Sequence, residues 1–414
     1  MKTMAQLEYH YGLKIRVYPN YEQKRMIKVN SDASRFVYNQ MVGIDQEIYR
    51  LSKVKIPIDL VIQRIAQLQQ RKNSRQLSNH FQFLNDKSID SLTKANAIQN
   101  YQKAWRQFRK VHRSGTPKFH KKNYCEKYQT NCQYPKQKQA FLNNGTVRFL
   151  DKAHVVLPKI GRLRVSGSHN EILNRPGETR IGTVTVFKDN LDRYFVSMQL
   201  ASDNAFVKIP EKTGKQVGID LNTDNFLTAS DGKVVDNPKY YRKITGKLAK
   251  AQRKLSRKAR RTKSEGRSLT ESKNYQKQRR LVAKIQSKVC HQRKNFLNNL
   301  STTLIKNHDL VVAEELRSSN LLKNHALAMS ISDVGWRAFL QMLSYKANLY
   351  DKRFITINPS NTTQTCSTCG HVMSGNNKLT LSDRQWDCPK CKTHHVRDHN
   401  AAINILNKGL TSIT

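Results

Sequence analysis

The sequence predicts a multidomain α+β protein. A small β-barrel or sandwich carries an inserted helical module and is followed by an α/β region that closes on a four-cysteine metal site. Three observations carry this expectation. The hydrophobic period switches from about 2 to about 3.6 and back over the first half, basic helical stretches alternate with apolar runs after Gln216, and two Cys-x-x-Cys pairs stand near the C-terminus. A chain of 414 residues is too long for one ordinary core and suits roughly two to four modules.

Taken in order, Leu13, Ile15 and Val17 alternate with Lys14, Arg16 and Tyr18, a half-buried strand that Pro19-Asn20 ends. From Tyr21 to about Val111 the spacing is helical, clearest at Ile98, Tyr101, Trp105 and Phe108. Tyr38, Tyr49, Tyr101 and Trp105 are candidates for stacking on bases, although helical spacing favours core packing for most of them. After Ser114-Gly115-Thr116-Pro117, short β-like runs occupy 146–150, 154–157, 162–165, 183–187 and 193–200. The simplest topology puts the first strand in that later sheet. From Gln216 the pattern becomes strand, hairpin, long basic helices, buried strand, helix and strand.

Lys and Arg outnumber Asp and Glu 74 to 30, a formal charge of +44 that repels itself unless a polyanion neutralises it. Nucleic acid is the expected partner; a ribosomal-type or membrane-surface protein would leave the acidic motifs below without a role. Residues 239–294 hold 21 Lys or Arg and only Glu265 and Glu271 as acids, with an apolar seam at Ile244, Leu248, Ala251 and Leu255. A merely solvated helix would intersperse acids as i,i+4 partners, so this face is suited to phosphates. The sequence has no apolar run near the roughly 20 residues of a membrane span and no signal-peptide pattern at its N-terminus. Seven cysteines, four of them in close pairs, argue against a disulfide framework and for a reducing cytoplasm, and the Lys and Asn content with the absence of targeting signals fits a bacterial one, with nucleoid association when bound to DNA.

Three acids stand where chemistry is expected. In Val217-Gly218-Ile219-Asp220-Leu221, alternation puts Asp220 opposite the apolar face, and a buried carboxylate there needs a cation. Leu310-Val311-Val312-Ala313 is the kind of apolar run found in strands covered on both faces, and it ends in Glu314-Glu315, of which Glu314 is the expected ligand. Asp398 opens a helix marked by Ala402, Ile405 and Leu406; alone it reads as a cap, and beside Asp220 and Glu314 as a third ligand. Such hard oxygen donors suit a pair of Mg²⁺ or Mn²⁺ ions about 3.5–4 Å apart, which serve phosphodiester hydrolysis. Cys366, Cys369, Cys388 and Cys391, with eighteen residues between the pairs, suit a closed, structural Zn²⁺ site. His371, His394 and His395 are read as surface or phosphate-contacting groups.

With these pieces placed, the chain resembles the TnpB family, transposon-encoded RNA-guided nucleases related to type V CRISPR effectors. The resemblance rests on Tyr11-Gly12-Leu13-Lys14-Ile15-Arg16-Val17-Tyr18-Pro19, Arg35-Phe36-Val37-Tyr38-Asn39, Gly218-Ile219-Asp220-Leu221, Val312-Ala313-Glu314-Glu315-Leu316, Ile331-Ser332-Asp333-Val334-Gly335-Trp336, the cysteine quartet and Arg397-Asp398-His399-Asn400-Ala401-Ala402. It implies a β-barrel wedge domain (1–20 and 118–205), an inserted helical recognition domain (21–117), a RuvC-like RNase H nuclease domain (206–365 and 396–414) and a zinc ribbon (366–395). It also implies a guide RNA cut from the transposon end, a double-stranded DNA target beside a short transposon-adjacent motif, and a monomer carrying its RNA. In that family the RuvC carboxylates match Asp220, Glu314 and Asp398. Departures are Asn222, Glu315-Leu316-Arg317 and Lys392, where the family often has Gly, Asp-Leu-Asn and Gly; none removes a ligand. A nuclease-inactive, RNA-guided repressor and an RNA-independent transposase are the competing functions.

Overall fold

The computed structural model describes residues 2–55, 59–111, 114–121, 125–136, 139–167, 169–175, 177–222, 224–315, 335–380 and 382–413. Leu316, Arg317 and residues 331–334, which enter the family resemblance and its departures, lie outside them. The chain divides into two compact units, Met1–Phe206 and Val207–Thr414.

In the first unit, β1 (Tyr9–Tyr18), β2 (Lys127–Asn131), β3 (Arg148–Asp151), β4 (His154–Leu157), β5 (Gly161–Ser166), β6 (Thr179–Lys188) and β7 (Tyr194–Ser202) form one antiparallel sheet. Its order is β2-β6-β7-β1-β5-β4-β3. The first strand in sequence thus sits at the centre, although its partners follow it by more than a hundred residues. Leu13, Ile15 and Val17 are buried in one core with Leu163 and Val165 of β5 and with Val184, Val196 and Met198 of β6 and β7. Among the described residues a closed barrel does not form: the sheet is a half-barrel, with β2 and β3 as terminal strands that do not pair with each other. The sequence pattern missed β2, whose Lys-Tyr-Gln-Thr-Asn lacks an apolar alternation.

Between β1 and β2 in sequence run α1 (Tyr21–Leu51), α2 (Asp59–Gln70), α3 (Ser74–His80) and α4 (Ser91–Lys110). Asn20 starts α1 through a capping box: its side chain accepts from Gln23 N at 2.9 Å, and the Gln23 side chain accepts from Asn20 N at 3.0 Å. Ile98, Tyr101, Tyr38 and Trp105 pack together in the helical core, while Tyr49 is exposed. A four-residue helix, α5 (Asn170–Leu173), precedes β6.

The second unit holds a five-stranded sheet of order β10-β9-β8-β11-β12, made of β8 (Gln216–Asp220), β9 (Asn225–Ala229), β10 (Val234–Asp236), β11 (Leu310–Glu314) and β12 (Arg353–Ile357). β8, β11 and β12 run parallel, and β9 and β10 are antiparallel additions. Two long helices, α6 (Tyr240–Ser264) and α7 (Lys273–Asn307), lead into β11, and α8 (Trp336–Leu349) leads into β12. Val217, Ile219, Val311 and Ala313 share a core with Leu304, Ile305, Phe339 and Leu343 of α7 and α8. The opposite face carries Leu310, Val312 and Ile357 and is covered by Ile405, Leu406 and Leu410 of α9 (Arg397–Thr411).

Two glycines set how closely α9 approaches. A Cβ on Gly218 would stand 2.2 Å from the Ala402 carbonyl oxygen, and one on Gly409 would stand 2.6 Å from Val312. The helix therefore lies against the sheet backbone itself, and its first turn is carried to the ends of β8 and β11.

Candidate active site and metal centre

Alternation along β8 sends Val217 and Ile219 into the apolar layer and turns Gly218 and Asp220 toward α9. In β11, Val312 pairs with Gly218 and Ala313 with Ile219, so Glu314 continues that register beside Asp220. Asp220 is buried, 8% exposed, and Glu314 is half-buried. Burial, followed by the charges of Glu314 and Asp398, pushes the Asp220 carboxyl up to about 7. Burial also raises Glu314, against a 2.5 Å hydrogen bond donated by the Thr362 hydroxyl. Glu315 is exposed, and its backbone N–H donates to Ile357 O.

Asp398 lies in the first turn of α9, whose N-cap is Val396, so it does not hold the capping position. Its carboxylate accepts from Arg397 Nε at 3.2 Å and Nη2 at 3.1 Å and from Asn222 Nδ2 at 3.3 Å, with Arg384 Nη1 at 3.7 Å. Asn222 also holds the β8–β9 turn by accepting from Asn225 N at 2.9 Å. Among the described residues, one group of three or more ligating side chains has all its donor atoms within 4.8 Å of one another, and it is the cysteine quartet. The carboxylates are spread more widely than that. Two ions about 4 Å apart with bonds of about 2 Å accept ligand oxygens separated by up to about 8 Å, so a spread, acid-rich, oxygen-only set fits a metal pair.

In the cysteine quartet, Cys366 Sγ lies 3.6 Å from Cys391 Sγ, and Cys369 Sγ 3.6 Å from Cys388 Sγ. Tetrahedral bonds of about 2.3 Å put sulfurs about 3.8 Å apart, so the thiols already stand at the edges of a tetrahedron fit for Zn²⁺. Hydrogen bonds from Thr393 pull the Cys391 thiol down while the neighbouring thiols push Cys369 up, so the quartet holds its first negative charge unevenly and needs a cation to ionise fully. Lys392, one of the departures named above, adopts φ +61°, a left-handed conformation that glycine takes more readily than lysine. His395 corrects the reading of the nearby histidines: it is buried, with Nε2 3.0 Å from Cys366 Sγ and its ring against Trp386.

Asparagines that the sequence did not single out join this knuckle to α9. Asn400 accepts from Ser367 N at 2.9 Å and donates to Thr365 O at 2.8 Å, and Asn404 donates to Thr362 O at 2.9 Å. The segment that starts the first knuckle is thus tied both to Glu314, through Thr362, and to the helix that carries Asp398. Their signal was present in Asn400 and Asn404, two polar residues on the otherwise apolar face of α9.

The basic seam is also accounted for. Leu248 and Ala251 of α6 are buried against Val282 of α7, with Ile244 and Leu255 beside them. Gln278 donates to Ala251 O at 3.0 Å, and Thr262 donates to Ser272 at 3.0 Å, which holds the two helices together near their connection. The Lys and Arg residues on the remaining faces stand mostly in solvent.

Three family models match the chain in order: "Helix-turn-helix domain" over 9–53, "Probable transposase" of the OrfB_IS605 type over 198–325, and "Cas12f1-like, TNB domain" over 336–405. A protein of Escherichia coli K12 named "Putative RNA-guided DNA endonuclease InsQ" is 26% identical over 96% of this chain and 92% of its own length. In this order, the matches are to proteins of the TnpB type. A Streptomyces pristinaespiralis protein named "Putative RNA-guided DNA endonuclease" is 40% identical over 56% of this chain, a match that spans about half, 53%, of that relative. A solved complex described as Cas12f1 with sgRNA and target DNA shares the fold, with a TM-score of 0.51 at 15% identity over 97% of this chain and 99% of the other. In this chain, residues 9–53 form β1 and one uninterrupted helix, so the name of the first model does not describe the local fold.

Proposed function

We propose that this chain is an RNA-guided DNA endonuclease of a transposable element, cutting double-stranded DNA beside a short transposon-adjacent motif. In this reading the half-barrel is the wedge domain and the helices 21–117 are the recognition domain. The unit from 206 onward is a RuvC-like, RNase H-type nuclease interrupted by a zinc ribbon at 366–395. The strand order β10-β9-β8-β11-β12, with the first three strands antiparallel, supports the RNase H assignment.

The observation that carries the proposal is the placement of three acids from separate elements at one end of the sheet: Asp220 at the end of β8, Glu314 at the end of the adjoining β11, and Asp398 in the first turn of α9, which lies against β8. Three carboxylates gathered in a chain of such positive charge are suited to divalent ions, not to binding nucleic acid directly. Asp220, Glu314 and Asp398 would hold Mg²⁺ or Mn²⁺, which when bound supplies an activated water and stabilises the charge that builds on the phosphate oxygens. Thr362 orients Glu314, and Arg397 and Asn222 orient Asp398. The cysteine quartet would hold Zn²⁺, which would fix the ribbon and, through Asn400, the first turn of α9.

The test is Asp220→Ala in the protein purified with RNA expressed from its own flanking DNA. Target cleavage is expected to disappear while RNA binding persists; undiminished cutting would overturn the carboxylate assignment. If no defined RNA accompanies the protein and activity survives ribonuclease, strand transfer without a guide becomes the better account.

A further inference from the structure

The four thiols account for a metal, but not for the hydrogen-bond donors that surround them. In the small sheet of the ribbon, β13 (Gln385–Asp387) pairs with β14 (His394–Val396), with Asp387 opposite His394 and Trp386 opposite His395. Alternation along the strands sends these two pairs to opposite faces. His394 is exposed, and its Nδ1 lies 2.8 Å from a carboxylate oxygen of Asp387. His395 and Trp386 are each 7% exposed, and Trp386 shares the ribbon core with Cys366 and Cys388. The two rings have centroids 4.7 Å apart with planes at 36°, a placement that brings His395 Nε2 to 3.0 Å from Cys366 Sγ.

Ring packing against Trp386 would by itself explain a buried side chain at this position, and a phenylalanine would serve it without burying polar nitrogens. It does not explain why Nε2 meets a sulfur. Four thiolates around one Zn²⁺ leave two negative charges in excess. Cys366 and Cys388 are 1% and 0% exposed, so water does little to stabilise that charge. The ribbon itself supplies donors. Besides His395, the Thr393 hydroxyl lies 3.2 Å from Cys391 Sγ, and Trp386 Nε1 is buried with no hydrogen-bond partner among the described residues. The sulfurs that His395 and Thr393 meet, Cys366 and Cys391, are 3.6 Å apart and form one edge of the tetrahedron.

We propose that His395 is the hydrogen-bond donor that stabilises the loaded quartet, giving its Nε2–H to the Cys366 thiolate and slowing loss of the metal. The sulfur keeps its bond to the ion, because a thiolate has lone pairs for both. The same bond fixes Cys366 between Thr365 and Ser367, the two residues that Asn400 of α9 holds. His395 therefore acts on the joint between ribbon and helix, and does not touch the reacting phosphate. The inference rests on the zinc-ribbon reading above and adds to it a residue outside the four cysteines.

The experiment compares the full-length parent, His395→Phe and His395→Gln by competition for Zn²⁺ with a chromogenic chelator and by the thiolate-to-cobalt absorption of the Co²⁺-loaded proteins. The carboxylates, which offer oxygen only, do not contribute to that absorption. His395→Phe keeps a ring against Trp386 without a donor, and is expected to weaken metal binding by about 10–100-fold with the four-sulfur spectrum unchanged. His395→Gln, which retains an N–H, is expected to recover most of that loss. Equal losses in the two variants would make His395 a packing residue, and Zn²⁺ affinity within about twofold of the parent in His395→Phe would remove it from the site; either result overturns the proposal. A nitrogen ligand in the parent spectrum that disappears in His395→Phe overturns it as well, by making the histidine a ligand. Should His395→Phe not fold, magnetic resonance of the Zn²⁺-loaded parent with labelled histidine settles the point: the proton is expected on Nε2, and a proton on Nδ1 alone rules the donor out. A parent without thiolate-to-cobalt absorption would remove the zinc-ribbon reading together with this inference.

Discussion

At the scale of single residues, two buried charges are held in different ways. Asp220 stands beside other acids in a setting suited to cations. Lys346 of α8 is 4% exposed, and its partners are three neutral oxygens: Asn298 O at 2.6 Å, Ser301 Oγ at 2.9 Å and Thr302 Oγ1 at 2.6 Å. Desolvation lowers its pKa to about 8 from 10.5. Between those values the unfolded chain binds the extra proton, so stability should rise as pH climbs from about 8 toward 10.5, and the penalty is fully present below 8. Lys346→Met is expected to flatten that rise, read as melting temperature against pH for parent and variant. Parallel curves would show that the lysine titrates as it does in water. The acid was legible in sequence because it interrupts an apolar strand. The lysine was not, because Lys346 sits in an amphipathic helix where lysine is ordinarily a surface residue.

At the scale of elements, α9 links the strand ends, the ribbon and the core. Gly218→Ala would drive a methyl into the Ala402 carbonyl, and an overpacking cost of about 1–3 kcal/mol is expected. Gly12→Ala, whose Cβ would meet nothing within 4 Å, is the matched control. Thermal unfolding of the two checks this; an equal effect would mean that α9 shifts freely on the sheet. The ribbon offers a second test. Chelation is expected to remove one Zn²⁺ per chain and, by hydrogen exchange, to deprotect the knuckles and the first turn of α9 while the half-barrel stays protected. A first turn that stays protected would separate Asp398 from the ribbon. Periodicity marked β1, β4, β5, β8 and β11 in the sequence because one or both of their faces are apolar. It missed β2, which is held by pairing with β6 and not by a pattern of its own.

At the scale of the whole molecule, the surplus of basic residues is the dominant property. Affinity for nucleic acid should fall by orders of magnitude between roughly 50 and 200 mM salt, because phosphate contacts release counterions. Filter binding across that range checks it, and a flat response would remove the polyanion surface from the account. The sequence by itself determined the chemistry available to this protein: the charge, four thiolates at ribbon spacing and three acids each placed at the edge of an apolar run. These are properties of residue type and local period, which the chain carries unfolded. The tertiary structure alone decided that β1 lies between β7 and β5, that the sheet stays open as a half-barrel, that His395 packs beside Cys366, and that Asn400 joins the ribbon to α9. Those outcomes depend on contacts between residues far apart in the chain, where many pairings satisfy the same local pattern and only the packing of complete elements selects one.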